Sequence, residues 1–263
     1  MDHDDVTKDH ETGRREELPA EALIEIAALA RRAKRANGPL MRAFNRLGGG
    51  VESQMSALPA KVRETLEHGT EGLLRGAYSA AGAVGSLKAV PETGDWAHRM
   101  AVATGGALGG FGGLATAAVE LPATVALFFG AMQKIGAEHG YEPGSEKARL
   151  ICLEVFGAGG PFASDDGANT GFIGSRLAMN SGAVQLVIRR IAPAVAALLG
   201  RKLASQAVPL IGAAAGAGLN LAFLAYFREM AHIRFGLQRL ADSHGPAAVE
   251  AQFRAEANSI GLR

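Results

Sequence analysis

Two long stretches of the chain carry no charge and place glycine at helical spacing. The first covers 101–119 and, after the single charge Glu120, continues through Gln133. Gly105, Gly109 and Gly113 fall on one helical stripe, with Gly106 and Gly110 beside them. The second covers 203–227, with Gly212 and Gly216 four apart and Gly218 close by. A glycine costs a helix roughly 1 kcal/mol relative to alanine, so this spacing needs a compensating gain. Close helix–helix docking supplies one, because bare backbone lets a neighbour approach. The pattern predicts two glycine-striped helical hairpins.

Around them the polar and apolar positions follow helical periods. Pro19 opens an amphipathic helix, AEALIEIAALARRAKRA, with Glu21 and Glu25 early and Arg31, Arg32, Lys34 and Arg35 late. That charge order suits the helix dipole, and it also suits a basic helix lying on anionic lipid. Gly38-Pro39 interrupts it. Pro59 opens another helix with Val62, Leu66 and Leu73 on one face and Glu71 paired with Arg75 on the other. Ser145 is positioned as N-cap of EKARLICLEVFGAGG, and Asp165-Asp166 stand where a further helix starts. Pro193 and Pro209 break the chain beyond that helix into shorter pieces. A long helix is expected over roughly 210–243, ending at His244-Gly245-Pro246, and a last one comes after it with Val249 and Phe253 on its apolar face. No strand-like alternation appears.

Whether the apolar runs enter a membrane turns on a few residues. A span needs about 20 apolar residues. Glu120 and Pro122 interrupt the first run; Gln206, Pro209 and Asn220 weaken the second. Cations flank both runs on both sides: Arg99 and Lys134, then Arg201, Lys202 and Arg228. This matches a hairpin that enters and returns, or helices buried in a packed bundle, better than a simple span.

Composition agrees with packed helices. The chain is 48% hydrophobic before its 35 glycines are added and only 6% aromatic. Soluble domains reach roughly 45–50% with glycine included. A net charge of +1 gives no electrostatic reason for a nucleic-acid partner. The lone Cys152 excludes an intrachain disulfide and fits a reducing compartment. Residues 1–17 are nearly all polar, unlike a secretory signal, and read as a disordered cytosolic tail ahead of one helical domain over 18–263.

Motifs for chemistry are sparse. Gly110-Phe111-Gly112-Gly113-Leu114-Ala115 matches a dinucleotide fingerprint in letters only, without the preceding strand or the later acid. Asp165-Asp166-Gly167-Ala168-Asn169 fails as a calcium loop, because Thr170 and Arg176 stand where glycine and glutamate are required. The residues left for a polar or ligand cluster are Glu120, Glu154, Asp165, Asp166, Arg176 and Asn220. Their carboxylates would form an acidic site if they converged, and otherwise cap helices or pair with cations such as Arg176. His98, His232 and His244 have no neighbour at metal-ligand spacing and read as surface or interface histidines. No metal or cofactor is indicated.

Several segments resemble one family when taken in order. They are GGALGGFGGLATAAVELPATVALFF, IGAEHG, ARLICLEVFGAGG, DDGANTGFIGSRLA and SQAVPLIGAAAGAGLNLAFLAYFREMAHIRF. Together, over roughly residues 45–255, they resemble the EcsC family of bacterial proteins. The resemblance implies a bacterial protein from a family named for an operon encoding an ABC transport system, and brings no catalytic residues with it. The chain departs from the family pattern at Arg234-Phe235, where a histidine-phenylalanine pair is usual, and at Val125, where a second threonine often follows Thr124.

The expectation is an all-α single domain with two central glycine-rich hairpins ringed by amphipathic helices. The expected role is a non-enzymatic accessory protein at the cytoplasmic membrane face, peripheral to or embedded in it. Its partners would be the membrane surface or a transporter component. Two alternatives are a soluble hydrolase using the carboxylates, metal-dependent or not, and a carrier of lipid or another small apolar ligand.

Overall fold

The computed structural model describes residues 18–36, 68–80, 124–157, 184–192, 195–196 and 209–261, with 209–219 as helix backbone. Among the described residues the fold is all-α, without strands. Helix α1 is Ala20–Ala36, α2 occupies 68–80 and α3 occupies 124–138. Helix α4 is Glu146–Gly157, α5 covers 184–192, α6 is Pro209–His244 and α7 is Pro246–Ser259.

The helix ends follow local chemistry. Proline precedes α1 and occupies the first turn of α6 and α7, where its missing N–H costs nothing. The Ser145 hydroxyl accepts from the Ala148 N–H at 3.2 Å, the expected N-cap of α4. Gly140 closes α3 with φ at 85°. Its N–H donates to the Ala137 carbonyl and that of Tyr141 to the Gly136 carbonyl, the paired bonds of a left-handed glycine stop. Gly245, with φ at 86°, turns the chain between α6 and α7.

Long α6 is the axis on which the others pack. Helices α1, α6 and α7 contact one another, and α4 lies against α6. The buried side of α1 is Ala22, Ile26, Leu29, Ala30 and Ala33; that of α7 is Val249, Phe253 and Ala257. Ring contacts pair Phe128 of α3 and Phe156 of α4 with Phe227 of α6, at 5.4 and 4.6 Å between centroids. Phe129 stacks on Phe156 at 5.0 Å. Among the described residues, several aromatic rings thus gather where three helices meet, each covering far more apolar area than an alanine could.

Direction follows from paired residues. Phe128 meets Phe227 while Tyr141 meets Phe235, so α3 runs parallel to α6. Phe156 meets Phe227 while Lys147 meets Asp242, so α4 runs antiparallel. Glu25 meets Arg239 while Arg32 meets Glu229, so α1 is antiparallel as well.

This arrangement segregates charge along the axis. From 209 to 227, α6 carries no charged residue, and 124–133 of α3 carries none either. The charges of α6 begin at Arg228 and Glu229 and continue through Arg234, Arg239 and Asp242. Because α1 is antiparallel, its basic end lies at the height of Glu229, where the uncharged half of α6 begins. Arg31, Lys34 and Arg35 are exposed there, while Arg32 is engaged with Glu229. Lys34 also donates to the Ile260 carbonyl at 2.5 Å, capping the end of α7.

Two glycines make the close approaches. A Cβ on Gly136 would stand 2.8 Å from Cζ of Phe235, and one on Gly236 would stand 3.0 Å from Cδ1 of Leu29. Gly212 and Gly216 lie within α6 as the periodicity predicts. Gly105, Gly109 and Gly113, with residues 1–17, lie outside the described residues. Gly136→Ala is expected to destabilise the fold by about 1–3 kcal/mol, since the buried Phe235 ring must shift. Gly76→Ala, with no described atom within 4 Å of the added methyl, is expected to stabilise by up to about 1 kcal/mol through helix propensity. Urea unfolding of both variants beside the parent measures the contrast.

Candidate functional site

The charged half of α6 faces α1 on one side and the end of α3 on another, and its polar side chains are densely engaged. Arg32 makes a forked contact with Glu229, its Nε donating at 2.5 Å and its Nη2 at 3.3 Å. Arg239 donates to both carboxylate oxygens of Glu25. These pairs are about a third to a half exposed, so each contributes at most about 1 kcal/mol; their larger effect is to fix the register of α1 on α6.

Between the two ion pairs sit His139 and His232. His139 follows the last turn of α3, and His232 lies on α6 three residues beyond Glu229. Nε2 of His139 is 3.3 Å from Nδ1 of His232, and the rings meet nearly edge-on, with centroids 5.5 Å apart. The other nitrogen of His232, Nε2, is 3.9 Å from the Glu138 carboxylate. Both imidazoles titrate below the ordinary histidine range. Burial is the main cause for each, reinforced by Arg239 at His139 and by Arg32 at His232. Near neutral pH the pair is uncharged, so one ring can donate and the other accept.

A second polar knot pins the turn between α3 and α4. Asp242 accepts from Tyr141 Oη at 3.0 Å, Lys147 Nζ at 2.5 Å and Gln238 Nε2 at 2.9 Å. Burial alone would raise its carboxyl, but these three donors hold it below the usual carboxylate range. The side-chain Oε1 of Gln133 accepts from the Gly144 N–H at 2.6 Å and secures the same turn. At the far side of α4, Arg149 donates to the Tyr78 carbonyl at 3.1 Å and lies 4.2 Å from the Tyr78 ring centre, tying α2 to α4.

Of the residues singled out from sequence, Glu120, Asp165, Asp166 and Arg176 lie outside the described residues. Glu154 is partly buried on α4, close enough to buried Arg234 of α6 to feel its charge. Asn220 is fully buried on α6. It stands fourteen residues before Arg234 on the same helix, about 21 Å along the axis. Asn220 and Glu154 therefore occupy different heights and do not face one site. Cys152 is fully buried, and burial pushes its thiol well above the ordinary range, so it serves as a small core residue. Among the described residues no three His, Cys, Asp or Glu side chains gather as a metal cluster.

The histidine pair, with its flanking ion pairs, was not legible as a group. Its members are 93 positions apart, and those of the ion pairs 197 and 214. The available signal was that His139 and His232 stand inside IGAEHG and AHIRF, two of the segments that mark the family.

That order of segments now has a direct test. The model of the EcsC protein family matches residues 24–240. The chain belongs to the EcsC family. No curated protein and no solved structure gives a significant match. Within this EcsC-family chain, both histidines, Glu138, both arginine–glutamate pairs and Glu154 fall inside the matched region.

Glu154 gives the fold a pH dependence. Burial pushes its carboxyl from an ordinary 4.5 up to about 7, against the opposing pull of Arg234. The folded state thus holds the proton more tightly than the unfolded chain. This contribution is complete below about pH 4.5, falls as pH rises, and is lost above about 7. Glu154→Gln is expected to flatten that decline and to be more stable than the parent at pH 8, by up to about 3 kcal/mol. Denaturant midpoints from pH 5 to 8 provide the comparison.

Proposed function

We propose that this EcsC-family protein is a non-enzymatic accessory protein on the cytoplasmic face of a bacterial membrane, linked to an ABC transport system. The observation that supports the reading is the axial separation of charge, with a basic collar at the boundary. In sequence, the uncharged half of α3 follows the glycine-rich run 101–119 after the single charge Glu120, and that of α6 is part of the uncharged run 203–227. Arg31, Lys34 and Arg35, all on the last turns of α1, stand at the height at which charge begins. Cations beside an apolar zone are drawn to anionic headgroups, with about 1 kcal/mol for each one near the surface.

The attachment is peripheral as far as the described helices are concerned. Among the described residues no helix is long and apolar enough to cross a membrane. The apolar side of α1 is covered by α6 and α7, so that helix contributes its basic end and not an inserted face. Phe223, Leu224 and Phe227 of α6 are likewise buried by protein.

Purified full-length protein is expected to sediment with vesicles rich in anionic phospholipid, and to be released by raised salt. The double variant Arg31→Glu, Arg35→Glu should bind at least roughly tenfold more weakly, since two attractions of about 1 kcal/mol each are removed and reversed. Equal binding to neutral and anionic vesicles, or no binding to either, would refute the lipid-surface role.

A further inference from the structure

The geometry points to His139 and His232 as a two-imidazole site for a divalent transition metal ion of the zinc class, bridging the end of α3 to the middle of α6. This inference is independent of the lipid-surface reading. Nε2 of His139 and Nδ1 of His232 face each other at 3.3 Å. Two nitrogens each about 2.05 Å from a tetrahedral ion stand roughly 3.3 Å apart, so the rings need little movement to share one.

The second nitrogen of His232 supports the same reading. The Glu138 carboxylate lies 3.9 Å from Nε2, the ring nitrogen that does not meet His139. A carboxylate there favours the proton on Nε2 and leaves the Nδ1 lone pair directed at His139. Histidine ligands of metals are commonly oriented by a hydrogen bond from the second ring nitrogen to a carboxylate, a contact that the half-exposed Glu138 side chain would make by closing from 3.9 Å.

Charge around the site favours a dication. Three carboxylates, Glu25, Glu138 and Glu229, and two guanidiniums, Arg32 and Arg239, surround the imidazole pair, which leaves a formal charge of −1. Each guanidinium is held by its own carboxylate, Arg32 by Glu229 and Arg239 by Glu25. The protein supplies two ligands, both of a kind suited to zinc, copper and nickel, and water completes the coordination.

The test uses the full chain, stripped with a chelator and titrated with Zn²⁺ by calorimetry and with Co²⁺ by visible absorption near neutral pH. One ion per chain is expected. His139→Ala and His232→Ala should each weaken binding at least tenfold, while His244→Ala, at the far end of α6, leaves it unchanged. Glu138→Gln should weaken binding by roughly tenfold or more, through the lost support to His232. Zn²⁺ added to the parent protein should shift two histidine imidazole NMR resonances together, a readout that needs no variant to fold. The site is refuted if the parent takes up neither ion at sub-millimolar concentration. It is equally refuted if uptake survives both histidine substitutions, or if the shifted resonances belong to other histidines.

Discussion

Two adjacent residues of α6 set how closely the bundle can close. Phe235 projects its ring against the bare backbone of Gly136 on α3, and Gly236 offers its own bare backbone to Leu29 of α1. One helix thus provides a protrusion for one neighbour and a gap for the other within a single peptide unit. A methyl group on either glycine would crowd the side chain opposite it, so the bare backbone lets α1 and α3 pack closely against neighbouring points of α6. The ion pairs Arg32–Glu229 and Glu25–Arg239 fall on either side of the Leu29–Gly236 contact along α1. They keep the register that the contact defines. With α1 and α3 so placed, His139 meets His232 and the basic end of α1 reaches the start of the uncharged half of α6.

What could be read from the sequence was local. The ends of α1, α6 and α7, the Ser145 cap, the Glu71–Arg75 pair and the buried Val249 and Phe253 all depend on residues within a turn or two of one another. The cation-rich end of α1 was legible as a charge order but not as a set of contacts, because Glu229 and Ile260 lie some two hundred positions away. The glycine stripes are visible through their period. Gly136 and Gly236 have no such period, since a single gap opposite one ring or one leucine suffices. A periodic stripe signals a long shared seam, whereas an isolated glycine signals a point contact whose partner only the fold reveals. For the same reason the histidine pair lay hidden: each imidazole alone resembles an ordinary interface residue.

The packed interior of the bundle still holds polar side chains, and they differ in what they cost. Asn220 is fully buried but neutral, and it engages other groups within the fold. Glu154 is the costly one, because an ionised carboxylate must give up water that Arg234 replaces only in part. Its retention of a proton toward neutral pH is the direct expression of that imbalance. Arg234 is a permanent cation, since its guanidinium stays protonated throughout the accessible pH range. The pull of that cation on Glu154 is accordingly present here at every pH.

Membrane contact and ion binding would use different parts of the same axis. The basic collar lies at the height of Glu229, and His232 is less than one turn beyond it, on the side toward the charged pole. Arg32 joins the two, since it reaches Glu229 while its charge also acts on His232. An added positive charge at the histidines would repel Arg32 and attract Glu229, both of which already act on His232. A salt bridge of roughly a third exposure can absorb that change without breaking, because water screens the repulsion while the fork to Glu229 remains. The collar residues Arg31 and Arg35, exposed on the outer side of α1, lie beyond that short-range exchange. The two properties are therefore separable by substitution, although they share one helix pair.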